Sequence, residues 1–146
     1  MPQRKAQAQW RGSLKDGSGT MEFGSGAFKG NFSFASRMEN GHGTNPEELV
    51  GAAEAGCFSM AFANALTEAG HTPQEIRTSA NVNFEKTEKG WTITRIDLTT
   101  EGIVPGVDEA TFARIAEDAK KGCPVSKALT GSQINVKATL KSGVRA

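Results

Sequence analysis

The sequence carries little excess of either charge, no apolar leader, few cysteines and no internal repeat. Its 146 residues hold 17 Lys and Arg against 16 Asp and Glu, a formal charge of +1, with the two signs interspersed. That balance offers no electrostatic footprint for nucleic acid or for a membrane surface. Residues 1–11 are polar and lack the apolar core of a secretory signal, so the expected location is the cytoplasm. Two cysteines are present, Cys57 and Cys123. In a reducing compartment such thiols are more often free or catalytic than bridged. The length suits a single domain, residues 1–146, around one core.

What is present centres on Asn45 to Leu66. Asn45 is a good helix N-cap, Pro46 suits the first helical position because it has no N–H to leave unbonded, and Glu48 completes a capping-box pattern. From Leu49 to Leu66 small and apolar residues cover every side, which predicts a helix enclosed over most of its surface. Glu54, Ser59 and Asn64 interrupt it, which argues against a membrane span. Gly51, Ala52, Ala55, Gly56, Ala61 and Ala63 would let a second helix backbone approach closely. The chain itself offers no such helix, so a dimer across a twofold axis is the economical expectation.

The remaining segments are expected in this order. Ala6 to Arg11, Met21 to Gly26 and Phe28 to Ser36 read as an antiparallel N-terminal hairpin or meander, with Arg37 at the end of its last strand. After the central helix, stopped by Gly70, Ile76 to Glu85 and Trp91 to Leu98 read as two strands joined by a turn at Glu88-Lys89-Gly90. Asp108 caps a helix whose apolar face is Phe112, Ile115, Ala116 and Ala119. Cys123-Pro124 opens a short helical turn, and Gln133 to Leu140 closes the chain as a strand. The class is α+β with antiparallel pairing in a six-stranded sheet.

Four residues attract chemical interest: Arg37, Glu47, Cys57 and Cys123. Each has a plain structural reading, as surface charge, first-turn acid, small core residue and buried helix-start residue. Charge arguments do not choose between the thiols. Cys123 stands at a helix start, which favours a thiolate, whereas Cys57 stands mid-helix among apolar residues and needs a cation, for which Arg37 is the candidate. Glu47 precedes Cys57 by ten positions, roughly 15 Å along one helix and on a different face, so the two cannot meet within one chain unless the helix breaks, whereas antiparallel central helices of a dimer could bring them together.

Gly43-Thr44-Asn45-Pro46-Glu47-Glu48-Leu49, Gly51-Ala52-Ala53, Cys57-Phe58-Ser59-Met60-Ala61, Val104-Pro105-Gly106 and Ala119-Lys120-Lys121-Gly122-Cys123-Pro124-Val125-Ser126 together resemble the OsmC family of thiol peroxidases. These proteins are kin to the organic hydroperoxide resistance proteins. Arg37, just ahead of the Gly-Thr-Asn-Pro-Glu run, favours the OsmC branch. The resemblance implies an OsmC/Ohr-like fold, with antiparallel sheets wrapping long central helices in an intertwined homodimer. It implies Cys57 as the peroxidatic cysteine, Cys123 as the resolving cysteine, and Arg37 with Glu47 as the pair that positions and activates. The implied substrate is an organic hydroperoxide, with hydrogen peroxide reduced more weakly, and the implied reductant an external dithiol. No metal and no cofactor are called for. A Cys57–Cys123 disulfide would require the turn at Cys123 to dock against the middle of the central helix.

One departure is Glu54, where relatives often carry His. It is expected to alter charge near the interface without touching the matched positions. Phe58, Met60 and Phe62 are either a preference for organic peroxides or simple core. The rival readings are a non-catalytic dimeric binding or stress-protection module with structural cysteines, and a metal site of Cys57, Cys123, His42 and His71. Those four lack the short ligand spacing of metal motifs.

Overall fold

In a computed structural model, which describes residues 2–141, the element order is β1 (Ala6–Arg11), β2 (Ser18–Phe23), β3 (Lys29–Phe32), α1 (Phe34–Met38), α2 (Pro46–Glu68), β4 (Glu75–Thr87), β5 (Gly90–Ile103), α3 (Glu109–Gly122), α4 (Pro124–Ala128) and β6 (Gln133–Lys141). The chain forms two compact units, one ending at Leu49 and the other beginning at Val50. The expected single sheet is instead two three-stranded sheets, β1-β2-β3 and β4-β5-β6.

In the first unit β1, β2 and β3 pair antiparallel as a meander. Trp10 and Phe32 meet across it, their rings 5.3 Å apart. The third strand is shorter than its alternation promised. It stops at Phe32 because Ser33 caps a helical turn: its hydroxyl accepts from the Ser36 N–H at 3.1 Å, and Ser36 Oγ accepts from the Ser33 N–H at 2.8 Å. Two local side-chain bonds outweigh the strand pattern here. Arg37 therefore lies on α1, not at a strand end.

The second unit holds the main core, built by Phe58, Phe62 and Leu66 of α2, Ile96 and Leu98 of β5, and Phe112, Ile115, Ala116 and Ala119 of α3. All four apolar positions read for α3 are buried. Phe62 is at its centre, with ring centroids 5.5 Å from Phe58 and 4.8 Å from Phe112. Phe112 reaches that place because residue 102 is glycine: a Cβ there would lie 2.7 Å from its ring. α2 is long and apolar enough to cross a membrane by composition. Its buried aromatic residues and the Ser59 Oγ to Thr78 Oγ1 bond of 2.7 Å make it a core helix of this unit.

β4 and β5 pair antiparallel, with the register slipping where Asn83 faces Arg95 and Phe84 faces Ile93. Thr94 is the extra residue of this bulge. Ile93 and Ile96, three apart, can then both pack on the core, whereas a regular strand would send them to opposite faces. β6 corrects a second expectation, for it pairs with β5 in parallel. Between the two strands the chain runs through α3 and α4, and a crossover of this length returns it to the end where β5 began.

Asp108 caps α3 by accepting the Thr111 N–H at 2.7 Å. That bond holds its carboxyl below the usual carboxylate range. A lowered native value means that the folded state binds fewer protons. The cap's contribution is thus complete above about pH 4 and fades as pH falls through the lowered value. Asp108→Asn, which keeps a capping oxygen, is expected to flatten the acid side of a plot of Tm against pH, whereas Asp108→Ala lowers Tm at neutral pH as well. Thermal melts from pH 3 to 7 check both.

Candidate active site

The first unit brings Arg37 and Glu47 together. Within α1, Ser36 Oγ donates to Thr44 O (2.8 Å) and the Ser36 carbonyl oxygen accepts from Asn45 Nδ2 (3.1 Å), so the start of α2 is tied to α1. Asn45 Oδ1 accepts the Glu48 N–H at 2.7 Å, as its N-cap role requires. Glu48 in turn accepts from the Thr44 hydroxyl at 2.8 Å, one residue earlier than a capping box has it. On this frame Arg37 Nε donates to both carboxylate oxygens of Glu47, at 3.0 and 3.2 Å, and Nη2 to Oε1 at 2.7 Å. Glu47 is only 7% exposed. A forked pair of this kind fixes the plane of the guanidinium.

The second unit brings the two cysteines together. Cys57 stands in the middle of α2 and Cys123 at the N-cap of α4, 66 residues apart, yet Cys123 Sγ lies 2.8 Å from Cys57 Sγ, donating to it as a free thiol. A disulfide of about 2.05 Å would need a closing movement of less than about 1 Å. Cys123 is fully buried and Cys57 half-buried. Burial pushes the Cys57 thiol up from its ordinary value, as do the hydrogen bond it shares with Cys123 and the nearby charges of Cys123 and Glu54. A hydrogen bond with the backbone of Val125 works the other way. A nucleophilic thiolate at this position calls for a cation.

Phe58 and Phe62 are buried in the core, whereas Met60 is 79% exposed.

Two residues of this site escaped the sequence reading. Glu54, expected to act at an interface away from the matched positions, is fully buried. Its Oε1 accepts a short hydrogen bond from Ser126 Oγ, and its charge acts on Cys57. The correction follows from helix geometry, since positions 54 and 57 are three apart and share a face. Ser126 stands three residues after Cys123, on α4. A charged residue inside an otherwise apolar helix stretch, at helical spacing from the cysteine, was the available signal.

The profile of the OsmC-like protein family matches residues 39–139. The chain is 47% identical over 140 residues to Peroxiredoxin OsmC of Escherichia coli (strain K12), covering 95% of this chain and 97% of that one. The chain belongs to the OsmC family. It is also 35% identical over 101 residues to an organic hydroperoxide resistance protein of Xanthomonas axonopodis pv. citri (strain 306), with 68% of each chain covered. Its fold matches the crystal structure of the organic hydroperoxide resistance protein OhrB of Bacillus subtilis with a TM-score of 0.70 and 25% identity, over 94% of this chain and 98% of that one. The OsmC branch expected from Arg37 agrees with the higher identity and wider cover of the Escherichia coli relative.

Proposed function

We propose that this OsmC protein is a thiol-dependent peroxidase that reduces organic hydroperoxides to alcohols, and hydrogen peroxide more weakly, through a two-cysteine cycle that protects against oxidative and osmotic stress. The observation that carries the reading is the pair of free sulfurs 2.8 Å apart, one on the central helix and one at the start of α4. Relatives named as a peroxiredoxin and as organic hydroperoxide resistance proteins support it.

The Cys57 thiolate attacks the terminal oxygen of ROOH, breaking the O–O bond; ROH leaves and Cys57 becomes a sulfenic acid. The Cys123 thiol condenses with it, releasing water and forming the Cys57–Cys123 disulfide before further oxidation can occur. An external dithiol then restores both thiols by exchange. Both thiols must start reduced, which suits the cytoplasm. The cycle needs no metal and no cofactor.

Arg37 is the cation that lowers the energy of the Cys57 thiolate and donates to the developing oxyanion, held in orientation by Glu47. Glu47 and Cys57 stand ten positions apart on one helix, so the pair serving Cys57 is assigned to the partner in a homodimer with antiparallel central helices. Support for that dimer comes from α2 itself: Ala52, Ala53, Gly56 and Met60 form an exposed stripe of small and apolar residues. Light scattering at micromolar concentration is expected to give twice the chain mass.

The test is to add one equivalent of cumene hydroperoxide to reduced protein and follow thiols and intact mass. Rapid loss of both thiols and of two hydrogens per chain is expected. Unchanged thiols would return the chain to a binding module with structural cysteines. Arg37→Ala is expected to slow the first step by about 100-fold, the scale for removing one oxyanion donor. A normal rate in that variant would remove Arg37 from the site.

A further inference from the structure

Glu54 has no task in the cycle described above. Its side chain is fully buried, Oε1 is bonded to Ser126 Oγ, and Oε2 is buried with no partner among the described residues. A half-satisfied carboxyl group in a core is costly, and an alanine or methionine there would avoid the cost. Its neighbours give the position meaning. Glu54 shares a helix face with Cys57, and its bonded partner Ser126 lies on the same short helix that Cys123 caps. One buried hydrogen bond thus joins the two elements that carry the two sulfurs.

Disulfide closure requires a proton to leave the Cys123 thiol and a proton to reach the oxygen departing from Cys57. Cys123 is fully buried, so water has poor access to that proton. We propose that Glu54 is the proton carrier of this resolution step, with Ser126 as its positioning residue. The Glu54 carboxylate takes the Cys123 proton; the Cys123 thiolate attacks the Cys57 sulfur and forms the S–S bond. The S–O bond breaks, and the departing oxygen takes the proton from Glu54 and leaves as water. Cys57-SOH and Cys123-SH are converted to disulfide and water, with Glu54 returned to its starting form. Glu54 acts electrostatically on Cys57, whose sulfur is bonded to that of Cys123, and it is bonded to Ser126, three residues beyond Cys123 on α4. The negative charge of Glu54 opposes ionisation of Cys57, so its benefit lies in the second step and its cost in the first.

This inference rests on the two-cysteine reading, and the experiment separates the two. Reduced wild type and Glu54→Gln receive one equivalent of cumene hydroperoxide and are quenched with dimedone at timed intervals, intact mass distinguishing trapped sulfenic acid from disulfide. Gln keeps an oxygen for Ser126 but cannot take up and release a proton. The variant is expected to consume peroxide at least as fast as wild type, accumulate the dimedone adduct, and close the disulfide about 100-fold more slowly, within the range for general acid–base catalysis. A purely structural role for Glu54 would not speed one step while slowing the next. Disulfide closure at the wild-type rate in Glu54→Gln overturns the assignment. A wild type that forms neither adduct nor disulfide ends the peroxidase reading instead, and this inference with it. Should Glu54→Gln not fold, the solvent deuterium isotope effect on closure in wild type decides: a normal effect is expected, and none would overturn the role.

Discussion

Cys57→Ser is expected to abolish peroxide turnover altogether, with the fold intact. The hydroxyl matches the thiol in size closely enough for the half-buried position, but it does not ionise near neutral pH and is a far weaker nucleophile toward an O–O bond. The neighbouring variant Cys123→Ser separates the two thiols. It should consume one equivalent of hydroperoxide and then stall, with Cys57 held as sulfenic acid or driven to sulfinic acid by excess peroxide. Peroxide consumption together with intact mass checks both: a Cys57→Ser protein that still turns over would place the chemistry at another residue, and a Cys123→Ser protein that cycles normally would mean resolution by an outside thiol.

Phe62→Ala should have the largest effect on stability. Phe62 is fully buried between Phe58 and Phe112, so truncation opens a cavity bounded by two elements that cannot both move in to fill it. The cost should be about 3–5 kcal/mol, a large part of the roughly 5–15 kcal/mol that holds a typical domain folded. Urea titration should register this as a lower midpoint at unchanged slope. A shift below about 1 kcal/mol would mean that α2 and α3 repack freely around residue 62.

Features of the fold with a local cause were legible in the sequence. The bounds of α2 followed from Asn45, Pro46 and Gly70, and Gly70 takes a backbone φ of 90° where the helix ends. The face of α3 followed from its period. What failed depended on competition or on distance along the chain. The Phe28 to Ser36 strand lost to a cap built from two serines, because hydroxyl bonds to nearby N–H groups outweigh a weak alternation. The direction of β6 was hidden, since alternation is the same in parallel and antiparallel strands. Only the path through α3 and α4 determines it. The three-residue step from Ile93 to Ile96 held the bulge in plain view as a break in period.

The candidate site divides the same way. The motifs marked Arg37, Glu47, Cys57 and Cys123, but motif matching passed over Glu54 as a departure from the family. Its helical spacing from Cys57 was a signal in the sequence, but its full burial and its bond to Ser126 depend on where α4 docks.

The unequal burial of the two sulfurs gives the oxidised protein a front and a back. With Cys123 enclosed and Cys57 half-open, an incoming thiolate has an unobstructed line only to the Cys57 side of the bond. Exchange would then join the reductant to Cys57 and expel Cys123 as the leaving group into the pocket it already occupies. In the proposed cycle electrons would then enter by way of Cys57, and Cys123 would give up its bond from within the core.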